Sequence, residues 1–323
     1  MEFRALFIAS RAKIQAGSSI LMRTSLGGRI TNKYNLLFYL SNYRMCFMST
    51  VLVAAYRQDI REHLRLANAY GCGIEIQAFS HPQILDGEWR ALLDEYQHLL
   101  RDFDGPLSFH GAFFDMSGAS EDARVVALTQ ERYRLSLDIA AELGARRVIF
   151  HTSFLPMIRN ERYRRRYIER DQAFWAALGE EAAERDLWVV VENMWDPTPA
   201  ILSEIMRGIP ASITNVGICL DVSHVYLYNN AQPFDGWIKV LEPYIVHIHM
   251  NNTLGVIDEH LALNVSGGAI NFSRILPVIA NLSRKPWLVL EIDDPVALER
   301  SLRFAKRVLG ASFGEREQVE AEK

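Results

Sequence analysis

The residues best equipped for chemistry in this chain stand at the ends of short apolar runs. The stretch 216–224, V-G-I-C-L-D-V-S-H, closes an apolar run on Asp221 and places His224 three residues later. An acid and an imidazole are costly to bury without a partner. A divalent cation is such a partner, because carboxylate oxygen and neutral imidazole are among its usual ligands. The pattern recurs: other apolar runs close on His110, His151, Glu192, His249 and Glu291. Taken singly, each histidine fits a hydrogen-bonded structural role and each acid a salt bridge. Their recurrence at successive run ends points instead to a common metal site. Three further candidates lie just beyond these ends: His224, and Asp258 with His260 in the run D-E-H-L.

Neighbouring residues sort around this set. His247 lies two residues before His249, so both point to the same side of a strand. His249 is nearer the strand end and is the expected ligand, with His247 an interior group that orients one. Glu75 fits a structural or a substrate-facing role equally. His63, His81 and His98 fall on helices or loops and are expected at the surface. Trp195, Phe113 and Phe114 could wall a substrate or simply pack at a rim. Asn251, just past His249, joins Trp195 and Phe113 as an expected substrate contact.

The elements that must carry these residues alternate along the chain. Strand-like runs are expected at 51–55, 74–79, 107–109, 147–150, 188–191, 216–220, 244–248 and 287–290. Helical patterns lie between them at 60–70, 89–100, 121–143, 161–185, from Pro197 onward, 233–241, 271–282 and 295–309. Gly144 follows the third pattern where a helix cap belongs, and Pro197 after Asp196 reads as a first helical position. Unbroken alternation implies a parallel sheet covered by helices, and eight such units match a single-domain (β/α)8 TIM barrel. An open doubly wound sheet would call for a glycine-rich loop after the first strand. The residues there are Y-R-Q-D, without glycine. Barrel active sites form at the C-terminal strand ends, where the candidates cluster.

Composition sets outer limits. The 323 residues are 49% hydrophobic and 23% charged, with a net charge of −4, which is ordinary for a globular chain and shows no basic excess for nucleic acid. The three cysteines, Cys46, Cys72 and Cys219, are far apart and form no C-x-x-C, as expected for reduced thiols in a cytoplasmic protein. No apolar run has the length of a membrane span. Residues 1–47 carry seven Arg or Lys and a single acid, Glu2, without clear periodicity. An organelle-targeting segment has this composition, and so does an upstream extension before a start at Met48, the favoured reading; either way the segment is expected outside the fold, with the barrel over 48–310 and a polar tail over 311–323.

The segments F-H-G at 109–111, F-H-T at 150–152, V-E-N at 191–193, L-D-V-S-H at 220–224, H-M-N-N at 249–252, D-E-H at 258–260 and L-E at 290–291 together resemble the xylose isomerase-like TIM-barrel superfamily. This group includes sugar isomerases and epimerases and the endonuclease IV-type enzymes. The resemblance implies one of two ligand sets. In the sugar branch, Glu192, Asp221, His249 and Glu291 would hold one metal. In the endonuclease branch, those four with His110, His151, His224, Asp258 and His260 would hold three zinc ions. The first two strands, with V-A-A-Y and G-I-E-I-Q-A-F, look more like the sugar branch.

The expected function is therefore a divalent-metal-dependent (zinc or manganese) sugar isomerase or epimerase. Its substrate would be an open-chain sugar or sugar phosphate chelated by the metal, with a developing enediolate stabilised. Glu192 and Glu291 would move the proton, approaching from different sides of the barrel. The alternatives are hydrolysis of a phosphodiester at abasic DNA, which the acidic charge balance disfavours, and dehydration of a sugar or polyol. No membrane partner is expected, and a homodimer is compatible with the sequence.

Overall fold

Burial on both faces is what the apolar runs require, and closing them into a ring supplies it. In the computed structural model, which describes residues 50–56, 58, 60–228, 233–310 and 313, eight parallel strands form a closed barrel in sequence order, with the last paired to the first. The strands are β1 (Val51–Ala55), β2 (Gly73–Ile76), β3 (Leu107–His110), β4 (Arg147–His151), β5 (Trp188–Glu192), β6 (Val216–Asp221), β7 (Ile245–Met250) and β8 (Trp287–Leu290). Around them lie α1 (Ile60–Tyr70), α2 (Trp89–Leu99), α3 (Ala123–Glu142), α4 (Glu161–Ala183), α5 (Ala200–Gly208), α6 (Val222–Tyr228), α7 (Phe234–Leu241), α8 (Phe272–Ala280) and α9 (Pro295–Leu309). The expected TIM barrel is the observed fold. Residues 1–47, expected to be an extension, lie outside the described residues, as does most of the expected tail. Within that tail, Phe313 is buried among core residues.

The main core fills the layer between strands and helices. Inside the ring the packing is layered. Leu52, Ala54 and Val289 form one small apolar group, and Ile149, Val190, Cys219 and Val246 another. At the N-terminal strand ends, the Arg147 guanidinium stacks 4.0 Å from the Trp287 ring centre and donates to the Val246 carbonyl. Burial lowers its affinity for a proton to a pKa of about 9. Above the apolar layer the inward positions turn polar, and the chemistry is there.

Caps match the local sequence. Asn160 accepts from the Tyr163 amide at the start of α4, and Asp294 from the Ala297 amide before Pro295 of α9. Gly144 takes a φ of 76° after α3, the left-handed conformation its position requires.

Some details differ from expectation. The helix foreseen at Pro197 begins at Ala200. Asp196 does not cap it, because its Oδ2 accepts from the Thr152 hydroxyl at 2.6 Å and from the Met194 amide at 3.1 Å, which turns 193–199 into a bonded loop. A π-helical turn, Ile84–Glu88, leads into α2. The short α6 was not foreseen. His63, expected at the surface, is fully buried on the α1 face with Ile60, Leu66 and Ala67; His81 and His98 are exposed as expected.

Candidate metal centre

The D-x-x-H spacing of 221–224 follows from a helix start. Asp221 is the last residue of β6 and, at the same time, the cap of α6. Its Oδ1 accepts from the His224 amide at 2.7 Å and from the Ser223 hydroxyl at 3.0 Å. Its Oδ2 is buried with no hydrogen-bond partner among the described residues. The cap thus leaves one oxygen free and fixes His224 beside it.

Glu192, closing β5, links two groups. Its Oε2 lies 3.0 Å from His151 Nε2 and 3.9 Å from His110 Nε2, and those two Nε2 atoms are 3.0 Å apart. Its Oε1 lies 3.2 Å from His249 Nδ1, which is also 3.2 Å from Glu291 Oε2. Asp221, His249 and Glu291 converge with donor atoms within 4.8 Å, as do Glu192, Asp221 and His224. On the far side, Asp258 Oδ2 lies 3.1 Å from His224 Nε2 and 3.3 Å from His260 Nε2. All the expected ligands are therefore brought together. Glu192 and Glu291, expected on different sides of the site, meet at the same imidazole nitrogen.

Three of the ring nitrogens that face away from the cluster are held, while His151 Nδ1 is buried without a hydrogen-bond partner among the described residues. His110 Nδ1 bonds the Gly111 carbonyl at 3.1 Å and His224 Nδ1 the Asn193 carbonyl at 2.8 Å. His260 Nδ1 lies 3.2 Å from both Asp293 Oδ1 and the Tyr56 hydroxyl. Each anchor turns Nε2 toward the cluster. Gly111 is required here, since a Cβ would sit 2.1 Å from the Phe150 ring.

Beneath the cluster, Glu75 is fully buried. It accepts from the Ser108 hydroxyl at 2.9 Å, and both His247 Nε2 at 2.9 Å and His249 Nε2 at 3.0 Å face its carboxylate. His247 is thus the interior partner that its position suggested. Gln77 donates to Glu291 Oε1 at 2.7 Å. Cys219 also has its donor atom within 4.8 Å of those of His247 and His249.

The electrostatics show crowded negative charge. Burial pushes the Asp221 carboxyl up to about 6, with Glu192, Asp258 and Glu291 adding to the push and His224 opposing it. Burial would also raise Glu192 and Glu291. Instead His249 and His151 hold Glu192 well below the usual range, and His249 and His260 hold Glu291 at about 2. Burial disfavours the charged form of His224, yet Asp221, Asp258 and Glu192 raise it to about 10.

These residues fit divalent cations. Tetrahedral bonds of about 2.0–2.1 Å put ligand atoms about 3.3 Å apart, and the contacts of 3.0 to 3.3 Å match that spacing. Two Nε2 atoms facing each other, a buried Asp221 oxygen without a donor, and several buried acids side by side call for positive charge.

At the rim, the Phe113 ring lies 4.5 Å from that of His151. Trp195 is 38% exposed, and Phe114 is exposed and packs on His81. Asn251 is fully buried, and neither polar atom of its amide has a hydrogen-bond partner among the described residues. Sequence reasoning missed Tyr56 and Gln77 and left Glu75 undecided. All three lie on or just past β1 and β2.

Comparisons with known proteins agree with this architecture. The chain is 26% identical over 236 residues to the uncharacterized protein MJ1311 of Methanocaldococcus jannaschii, covering 70% of this chain and 79% of that one. The TTHB071 protein from Thermus thermophilus, soaked with ZnCl2, superposes with a TM-score of 0.65 at 27% identity over 82% of this chain and 99% of that one. A D-tagatose 3-epimerase-like protein superposes with the same score, 0.65, at 21% identity over 80% and 97% of the two chains, and so shares the fold. A family model described as xylose isomerase-like TIM barrel matches residues 64–308, and the chain belongs to that family.

Proposed function

We propose that this barrel is a divalent-metal-dependent sugar isomerase or epimerase. The observation that carries the reading is the pair of carboxylates, Glu192 and Glu291, that meet at His249 Nδ1 with Asp221 alongside. Glu192, Asp221, His249 and Glu291 would hold the cation. Once bound, it supplies Lewis acidity to two oxygens of an open-chain sugar and makes the neighbouring C–H more acidic.

The protein's own groups do the rest. The depressed affinities of Glu192 and Glu291 for protons keep both ionised at neutral pH, as a proton-abstracting base requires. In an isomerisation one carboxylate would take the proton from the carbon beside the carbonyl and return that same proton to the neighbouring carbon; in an epimerisation the opposite carboxylate would deliver a proton taken up from solvent while the first releases its own to solvent. Asn251, buried with an unsatisfied amide, can donate to and accept from sugar hydroxyls. Phe113 and Trp195 offer apolar faces to the ring carbons, and His110 and His151 present Nε2 atoms to further hydroxyls. The fold shared with the D-tagatose 3-epimerase-like protein supports this reading, and the ZnCl2 soak of the TTHB071 protein supports zinc as a metal to try.

A second reading, metal-dependent phosphodiester hydrolysis, is favoured by one observation. Two more donor groups flank the central one: His110, His151 and Glu192, and His224, Asp258 and His260. Up to three adjacent cations would suit a phosphate better than a neutral sugar.

One experiment separates the two. Metal content is measured by elemental analysis, and turnover is screened on ketoses, their phosphates and an abasic duplex. The isomerase reading expects sugar turnover that falls about 100- to 10,000-fold in Glu291→Gln and survives the double variant Asp258→Ala/His260→Ala. Cleavage of the duplex, abolished by that double variant, would replace it with the second reading.

A further inference from the structure

The pair Glu75, on β2, and Gln77, just past its end, has no counterpart among the expected ligands, yet it touches two of them. Alternate strand residues share a face, so both side chains enter the interior. Among the candidate ligands with a held ring nitrogen, His110, His224 and His260 are anchored through Nδ1 and turn Nε2 to the cluster. His249 is reversed. Its Nε2 lies 3.0 Å from Glu75 Oε1, within reach of that charge though without hydrogen-bond alignment, and its Nδ1 faces Glu192 and Glu291. Glu75 is itself immobilised by Ser108, His247 and, at 3.3 Å, Gln77 Nε2. Gln77 engages Glu291 Oε1 with the same nitrogen, leaving Oε2 as the oxygen nearest His249.

We propose that Glu75 and Gln77 are positioning residues that select the central cation: Glu75 sets the proton on His249 Nε2 so that Nδ1 is the donor, and Gln77 limits Glu291 to one coordinating oxygen. The proposal rests on the cation reading above and adds to it which side chains decide affinity at the central position. It accounts for a carboxylate fully buried beneath the cluster. An imidazole whose far N–H is held by a carboxylate is a more basic and better oriented ligand. The flanking groups have other anchors, a backbone carbonyl for His110 and for His224 and the Asp293 and Tyr56 side chains for His260, so they do not depend on β2.

The test uses the full chain stripped of metal and titrated with zinc by calorimetry, with bound zinc counted after gel filtration and cadmium-113 spectra recorded on the loaded protein. Glu75→Gln is expected to weaken one class of site about 10- to 100-fold while the others keep wild-type affinity, and to shift one cadmium resonance. Gln77→Leu should weaken the same class by a smaller factor. Circular dichroism reports folding; if Glu75→Gln fails to fold, Gln77→Leu carries the test, because Gln77 touches Glu291 directly. Wild-type affinity and cadmium spectra in a folded Glu75→Gln, or in Gln77→Leu where that variant carries the test, overturn the proposal. So does equal weakening of every site. A wild-type chain that takes up no zinc overturns both this proposal and the cation reading, whereas unaltered binding in the variants overturns this proposal alone.

Discussion

Asp221 shows how one side chain can serve two elements. Its Oδ1 is committed to the first turn of α6 and its Oδ2 is left bare, so the D-x-x-H spacing is a capping geometry before it is a ligand motif. Asp171 shows the opposite case, a buried acid with no part in the site. It lies on the inner face of α4, and burial pushes its carboxyl up to about 7 against the pull of Trp175 and Tyr167. The folded state therefore holds its proton more tightly than the unfolded state does. The resulting stability is complete below the unfolded value of about 4 and is lost as pH rises to about 7. Asp171→Asn, neutral throughout, should gain stability over the wild type by up to about 2–3 kcal/mol between pH 5 and pH 8. Urea unfolding of both proteins in EDTA at the two pH values measures this, and a constant gap would contradict it.

At the scale of elements, the strand-end rule found the ligand candidates on β3 to β8 because apolar runs that stop on an acid or imidazole are visible in the residues themselves. Tyr56 and Gln77 were not visible, since neither type habitually binds metal and their importance lies in contacts between strands distant in sequence. His63 was placed outside because histidine is polar, although its spacing from Ile60 and Leu66 puts it on the buried face of α1. The helix expected at Pro197 failed because a tertiary bond from Thr152 claimed Asp196. The loop after β7 carries Asp258 and His260; Thr253 and Glu259 tie its tip, and Asn252 ties its base. Buried Asn252 donates to the Leu263 and Ile270 carbonyls and accepts from the Thr253 and Ile270 amides. Asn252→Ala should cost about 2–4 kcal/mol, because it strands buried backbone partners. It should also open 254–257 to limited proteolysis and lower zinc uptake at the Asp258 position. Wild-type proteolysis and zinc content would contradict the loop's role.

For the whole molecule, the alternation of eight runs and helices, with no glycine-rich loop after the first run to suit an open doubly wound sheet, was enough to foresee a closed ring. Among the described residues, no helix is long and apolar enough to cross a membrane. We propose that the fold is carried from Met48 onward. A chain that begins there should keep the zinc count and melting temperature of the full one, and a drop of more than a few degrees would assign residues 1–47 a share in stability. Closure also orders events in time. The central group draws on β5, β6, β7 and the residue just after β8, and Glu291 is among the last parts of the barrel to leave the ribosome. On the proposed cation reading, the central position would be complete only once the eighth strand has emerged, so loading would follow closure of the ring rather than precede it.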